Sequence, residues 1–180
     1  MKLTWLTQGG YLFEHAGTRL VVDPCLSDAA AAKGATRAVP APFSASALAP
    51  DYLLCTHDHV DHWDPVGAPD ILQNHPRCTL LAPASVRRLA RAVGIAAERI
   101  RPFDVGESIS AGPFHLTALP TLHSDPLGVG FHLRAGALSL YQSGDTEYTT
   151  VLAKDLAARL AALAPRLHLR SSALTDVSAT

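Results

Sequence analysis

Apolar and polar positions alternate over residues 2–7, which predicts a short strand, and Tyr11 to His15 reads as a second. Gln8-Gly9-Gly10 supplies a turn between them, and Ala16-Gly17 turns the second into a third strand over 19–23. Residues 27–50 have no period. They are rich in Ala, Ser and Pro, with Pro40, Pro42 and Pro50 as breakers, and read as an irregular loop, either a flexible cover that carries specificity or a passive connector. The apolar run at 51–55 predicts a buried strand. Asp64-Pro65 then opens a helix over 65–74, with Asp as N-cap and Pro in the first turn. A strand over 78–82 and an amphipathic helix over 84–93, ended by Gly94, follow. Val86, Leu89, Ala90 and Val93 form that helix's apolar face. Arg87, Arg88 and Arg91 form the other, which reads better as a solvated face than as a phosphate patch. Residues 108–110 and 114–119 predict two strands, 130–133 and 138–142 a hairpin, and 151–163 a helix with Leu152, Leu156, Leu160 and Leu163 on one side. Residues 166–170 alternate as a short edge strand, and 171–180 are polar, small and expected to be disordered. The order of strands and helices predicts an α/β domain over 1–165.

At 180 residues with 48% hydrophobic positions, the chain suffices for one domain with a sizeable core. The formal charge is −1 without any block of like charge, which argues against nucleic acid as a partner. Met1-Lys2-Leu3 runs straight into a strand, so no leader is expected, and no apolar stretch is long enough to span a bilayer. Cys25, Cys55 and Cys78 are odd in number and unpatterned, and are read as buried free thiols in a reducing cytoplasm.

The chemistry concentrates in His57-Asp58-His59-Val60-Asp61-His62, directly after the strand at 51–55. Imidazole and carboxylate are ligands that suit Zn²⁺, Mn²⁺ and Fe. So many of them in one small volume call for a cation between them, and the end of a strand is where open α/β sheets place their chemistry. A chance histidine-rich surface loop is the bland alternative. Asp23 ends the third strand and reads better as a cap for the turn before Pro24 than as a partner that orients a ligand histidine. His15, His75, His115 and His132 have no partner at ligand spacing. Gly-x-Ser-x-Gly is absent, which weighs against a common serine-hydrolase motif.

The pattern His-x-His-x-Asp-His, with Leu122-His123-Ser124 and Ser143-Gly144-Asp145-Thr146 each after a strand, resembles the metallo-β-lactamase superfamily. The order of the stretches 64–74, 80–83 and 103–107 is similar to its ascorbate-6-phosphate lactonase-like branch. The likeness covers about residues 3 to 155 and implies an αββα sandwich whose second half is incomplete in this chain. It implies His57, His59 and His123 around a first divalent cation. Asp61 and His62 would face a second, with Asp145 bridging both. Zn or Mn is the expected metal. The resemblance also implies a further histidine after the Gly-Asp segment. His168 is the sole histidine there, comes too soon and lacks a matching motif, so a truncated member with a depleted second site is expected.

The implied activity is that of a metal-dependent hydrolase. A bound cation lowers the pKa of its water to about 7, and two cations about 3.5–4 Å apart can hold the resulting hydroxide and polarise the scissile carbonyl or phosphoryl oxygen. Asp61 is the expected catalytic group, orienting the nucleophile and passing a proton to the leaving group. A small ester, lactone or phosphorylated metabolite is the expected substrate. The alternatives are a degenerate, non-catalytic metal-binding fragment and a phosphodiesterase or nuclease. A shortened second half would expose apolar surface, so a homo-oligomer is admitted among the partners.

Overall fold

A computed structural model of the chain describes residues 1–169. β1 (Lys2–Trp5), β2 (Tyr11–His15) and β3 (Thr18–Val22) form the expected antiparallel meander. A 3₁₀ turn (Ala29–Lys33) and α1 (Ala45–Leu48) lie in the stretch that has no sequence period. The chain then alternates as β4 (Tyr52–Leu54), α2 (Gly67–Asn74), β5 (Thr79–Ala82), α3 (Ala84–Ala92) and β6 (Ile100–Pro102). β3, β4, β5 and β6 pair in parallel, which completes a six-stranded sheet in the order β1-β2-β3-β4-β5-β6.

The second sheet has five strands in the order β11-β10-β9-β8-β7. β7 (Ser108–Ala111), β8 (Phe114–Pro120), β9 (Val129–Ala135) and β10 (Leu138–Gln142) are antiparallel neighbours. After α4 (Thr150–Leu163) the chain returns as β11 (Leu167–Leu169), parallel to β10. Of the edge strand expected at 166–170, Leu167–Leu169 is part of this sheet; residue 170 and the disorder expected at 171–180 lie outside the described residues.

Period-two alternation explains how the layers stack. Phe13, Leu20, Val22, Leu54 and Leu81 of the first sheet meet Phe114, Leu116, Phe131, Leu133 and Leu140 of the second in one core between the sheets. The opposite face of the first sheet, with Leu12, Val21, Leu53 and Leu80, packs under α1, α2 and α3 through Leu48, Ile71, Leu72, Val86 and Ala90. Each such fully buried Leu, Val or Phe contributes roughly 1.5–3 kcal/mol. Helices outside two facing sheets are the αββα arrangement the sequence led us to expect. Among the described residues no helix is long and apolar enough to cross a membrane.

Three local expectations are corrected. The helix expected from Pro65 starts at Gly67, because Asp64 uses its Oδ1 to close the turn at Val66 and Gly67 and its Oδ2 to hold the distant Leu26 and Ser27. Over α3, Val86 and Ala90 are buried but Leu89, and Val93 at the helix's C-cap, are exposed; the helix packs on β5 and the edge strand β6. Of the arginines expected on a solvated face, Arg87 is part buried and paired: it grips Asp104 at 2.9 Å and the Ala82 carbonyl. The three cysteines are buried and free, as expected.

Candidate metal centre

The ends of β3, β4, β8 and β10 converge at one edge of the two sheets, and each is followed by a loop that carries a charged or imidazole side chain. Asp23 directly follows β3, residues 57–62 follow β4, His123 follows β8 and Asp145 follows β10. Residues 57–62 are not extended but turned, with the N–H groups of His62 and Trp63 both donating to the His59 carbonyl at 2.9 and 2.7 Å. The turn still brings the His57 and His59 rings together, with centroids 4.6 Å apart. Gly144 has φ +59, and a Cβ there would meet the Val129 carbonyl at 2.7 Å, so only glycine lets the Asp145 loop lie this close to β9.

Two groups of potential ligands result, and they share His57. His57, His59 and His123 form one; His57, His62 and Asp145 form the other, with the ligand atoms of each group within 4.8 Å of one another. His123 Nε2 faces His59 Nδ1 at 3.0 Å. Asp145 Oδ2 lies 3.4 Å from His62 Nε2, 3.9 Å from His57 Nε2 and 4.0 Å from His123 Nε2, which puts it between the two groups. Asp61 is in neither group; its carboxylate stands 3.7 Å from His62 Nε2 at the rim. His168 is in neither group. It sits on β11 against the Tyr141 ring, centroids 5.9 Å apart.

Three of the four imidazoles are held at one nitrogen and turned inward at the other. Thr56 Oγ1 donates to Asp23 Oδ2 at 2.7 Å, which leaves it to accept from His57 Nδ1 at 3.1 Å. Ser124 Oγ lies 3.0 Å from His59 Nε2. Asp23 Oδ2 lies 3.0 Å from His62 Nδ1. The inward atoms are therefore His57 Nε2, His59 Nδ1 and His62 Nε2, and His57 Nε2 is buried without a hydrogen-bond partner. A buried, unpaired ring nitrogen is costly unless it meets a cation, so the residues present fit a metal ion.

Electrostatics sharpens this. His57 is pushed down to about 2, first by burial and then by charge on His62, so it is a neutral donor. His62 is also buried, which opposes protonation, but Asp23 and Asp145 outweigh burial and raise it to about 10. Of the two readings of Asp23, it is the histidine-orienting one that the geometry shows. Asp23 Oδ1 accepts from the Thr56 N–H at 2.7 Å, so one carboxylate fixes both the loop and the His62 ring. Asp64 and Asp125 were missed by sequence reasoning as anchors of this region; neither sits at ligand spacing, and their partners are remote in sequence.

A family profile described as the beta-lactamase superfamily domain matches residues 18–170. The chain belongs to that superfamily. It is 26% identical over 152 residues to a UPF0173 protein of Pyrococcus furiosus, covering 83% of this chain and 62% of that protein. It is 27% identical over 161 residues to a UPF0173 metal-dependent hydrolase of Brucella anthropi, covering 82% of this chain and 63% of the relative. The chain thus spans less than two thirds of the length of these curated relatives. Among solved structures it is similar to an isothiocyanate hydrolase from Delia radicum gut bacteria, with TM-score 0.72, 19% identity and coverage of 93% of this chain and 70% of the other. It is also similar to Igni18, a metallo hydrolase from the archaeon Ignicoccus hospitalis, with TM-score 0.69, 15% identity and coverage of 92% and 68%. Both likenesses concern the fold.

Proposed function

We propose that this protein is a metal-dependent hydrolase of small molecules, acting on an ester, a lactone or a phosphorylated metabolite in the manner of the ascorbate-6-phosphate lactonase-like branch. The observation that carries this reading is the inward set of His57 Nε2, His59 Nδ1 and His123 Nε2, beside a carboxylate, Asp145, placed toward both groups. Three imidazoles with room for a further ligand are characteristic of catalytic rather than structural zinc sites. The names of the UPF0173 relatives support hydrolysis as the reaction type.

His57, His59 and His123 would hold a first divalent cation, Zn²⁺ or Mn²⁺, and His62, Asp61 and Asp145 a second. Bound there, such cations lower the pKa of water and polarise the oxygen of the scissile group. Asp61, part exposed at the rim, orients the attacking water and hands a proton to the leaving oxygen. Asp23 keeps the His62 ring aimed inward, and Thr56 does the same for His57. Leu122 and Leu127, each 41% exposed on the His123 loop, offer apolar contact to a small substrate. With a net charge of −1 and that apolar rim, a nucleic-acid substrate is disfavoured.

Elemental analysis of protein purified without added metal, followed by assays on aryl esters, lactones and phosphate esters, tests the reading. Bound Zn or Mn with turnover that chelation abolishes is the expected result. Metal without turnover on any of these classes would favour a non-catalytic metal-binding role, and no metal uptake at all would refute the centre.

A further inference from the structure

A second buried carboxylate lies beside the metal centre without facing it. Asp125 is 5% exposed and follows His123 by two positions. Its Oδ2 accepts a hydrogen bond from Ser85 Oγ on α3 at 2.6 Å and from the Asp58 N–H at 3.2 Å. Its Oδ1 accepts from the Leu127 N–H at 2.9 Å, and its own carbonyl from the Gly128 N–H at 3.1 Å. That turn packs directly on the first histidine: a Cβ at Gly128 would lie 3.1 Å from His57 Cβ.

The chemistry of these contacts is specific to a carboxylate. Each neighbour is a donor, and an ionised carboxylate is acceptor-only at both oxygens. An amide would turn an NH₂ group against at least one N–H or O–H. The position of the Asp58 N–H matters most. The peptide group that carries it joins His57 to Asp58, and His59 follows, so fixing it fixes the directions from which both rings leave the backbone. The carboxylate that fixes it belongs to the loop that brings His123. One side chain therefore ties together the two loops that supply all three imidazoles of the first group, and Ser85 ties that side chain to a helix of the main core.

We propose that Asp125 is a positioning residue for the first metal group, setting the distance between the His57–His59 turn and His123 without touching the cation. This rests on the reading of His57, His59 and His123 as metal-holding. Partners that orient ligands in this way change metal affinity by about 10–100-fold when removed. Metal-free protein is titrated with Co²⁺ alone, in competition with a chelator, following the visible spectrum that reports the ligand field. Asp125→Ala should weaken the tighter event by about 10–100-fold and alter its spectrum. Asp125→Asn should fall between that and wild type, because its one carbonyl oxygen serves either Asp58 or Leu127 but not both. Ser85→Ala keeps the carboxylate and should lose less, about 2–10-fold. A carboxylate with only a general structural role would lower the melting temperature of the metal-free protein yet leave Co²⁺ affinity and spectrum unmoved; that result in Asp125→Ala overturns the proposal. Should Asp125→Ala fail to fold, unchanged affinity in both Asp125→Asn and Ser85→Ala overturns it equally. A wild-type protein that takes up no Co²⁺ would instead refute the metal-centre reading, and this inference with it.

Discussion

His59 and His123 reach their group from loops and remain part exposed, and only the shared His57 is buried; in the other group His57, His62 and Asp145 are all buried. The first group is three imidazoles without a carboxylate of its own, and its buried member, His57, is held neutral. The second contains its own counter-charges: His62 lies between Asp23 at 3.0 Å and Asp145 at 3.4 Å and keeps a proton to well above neutrality. The two groups therefore stand differently without metal. In the second, the His62 ring bridges the buried carboxylates of Asp23 and Asp145. In the first, His59 Nδ1 and His123 Nε2 share a hydrogen bond at 3.0 Å, while the shared His57 Nε2 is buried without a hydrogen-bond partner. The contrast separates a part-exposed group of three imidazoles from a buried group that carries its own counter-charges, and the unpartnered His57 Nε2 belongs to both.

The largest expected effect is on the first group. Changing His57, His59 and His123 together to Ala should remove most bound metal, as measured by elemental analysis after dialysis. Unchanged stoichiometry would erase the distinction between the groups. Next comes Asp61, which stands at the rim and belongs to neither group. Asp61→Asn should keep about one metal per chain while turnover falls by about 10²–10⁴-fold, the range for a lost proton-transfer group. Full activity would show that the proton leaves by another route.

A smaller effect is expected at Asp23, which touches the second group only from behind. Asp23→Asn removes the charge that holds His62 Nδ1 and weakens the grip on the Thr56 hydroxyl. The looser of two Zn²⁺ binding events should weaken by about 10–100-fold, with a lesser change in the tighter one. If calorimetry shows the tighter event suffering more, then Thr56 and His57 carry the main influence of Asp23, and the groups are less independent than their geometry indicates.

How far the sequence foretold all this depended on the range of the interactions involved. Residues 57–62 announced themselves because five of six consecutive positions carry donors, and the alternation at 114–119 was legible because Phe114, Leu116 and Ala118 turn to the core between the sheets. β6 went unread: Ile100-Arg101-Pro102 is three residues long with one buried side chain, and its pairing to β5 supplies the order that its own pattern lacks. The exposed Leu89 on α3 and Val93 at its C-cap show the converse limit, where the helical period is present but only Val86 and Ala90 of the expected face are buried. The hold of Asp64 on residues 26–27 and of Asp125 on Asp58 was legible only from the fold, since those partners lie 30 or more residues away, whereas an orienting role for Asp23 was one of two readings its sequence position allowed.

Asp64 provides the smallest expected change at the metal and the clearest one in stability. Its carboxylate accepts from the N–H groups of Leu26, Ser27, Val66 and Gly67 and from the Ser27 hydroxyl, so it pins the irregular loop to the end of the metal turn. Burial alone would raise its pKa, but the Ser27 hydroxyl and the N–H groups of Gly67, Ser27 and Val66 outweigh burial and hold it below the usual value. A depressed folded pKa means that this stabilisation is complete above the unfolded value of about 3.9 and is lost as pH falls through the lower folded value. Asp64→Ala leaves several buried donors unmatched and should cost about 3 kcal/mol at pH 7. The melting temperatures of wild type and variant, measured without metal, should draw together as the pH is lowered below about 4. Both Zn²⁺ binding events should survive in the folded variant at pH 7, because Asp64 belongs to neither group and its carboxylate is engaged with residues 26–27 and 66–67. A gap in melting temperature that stays constant to the lowest pH would mean that Asp64 acts through its shape in the turn rather than through its charge.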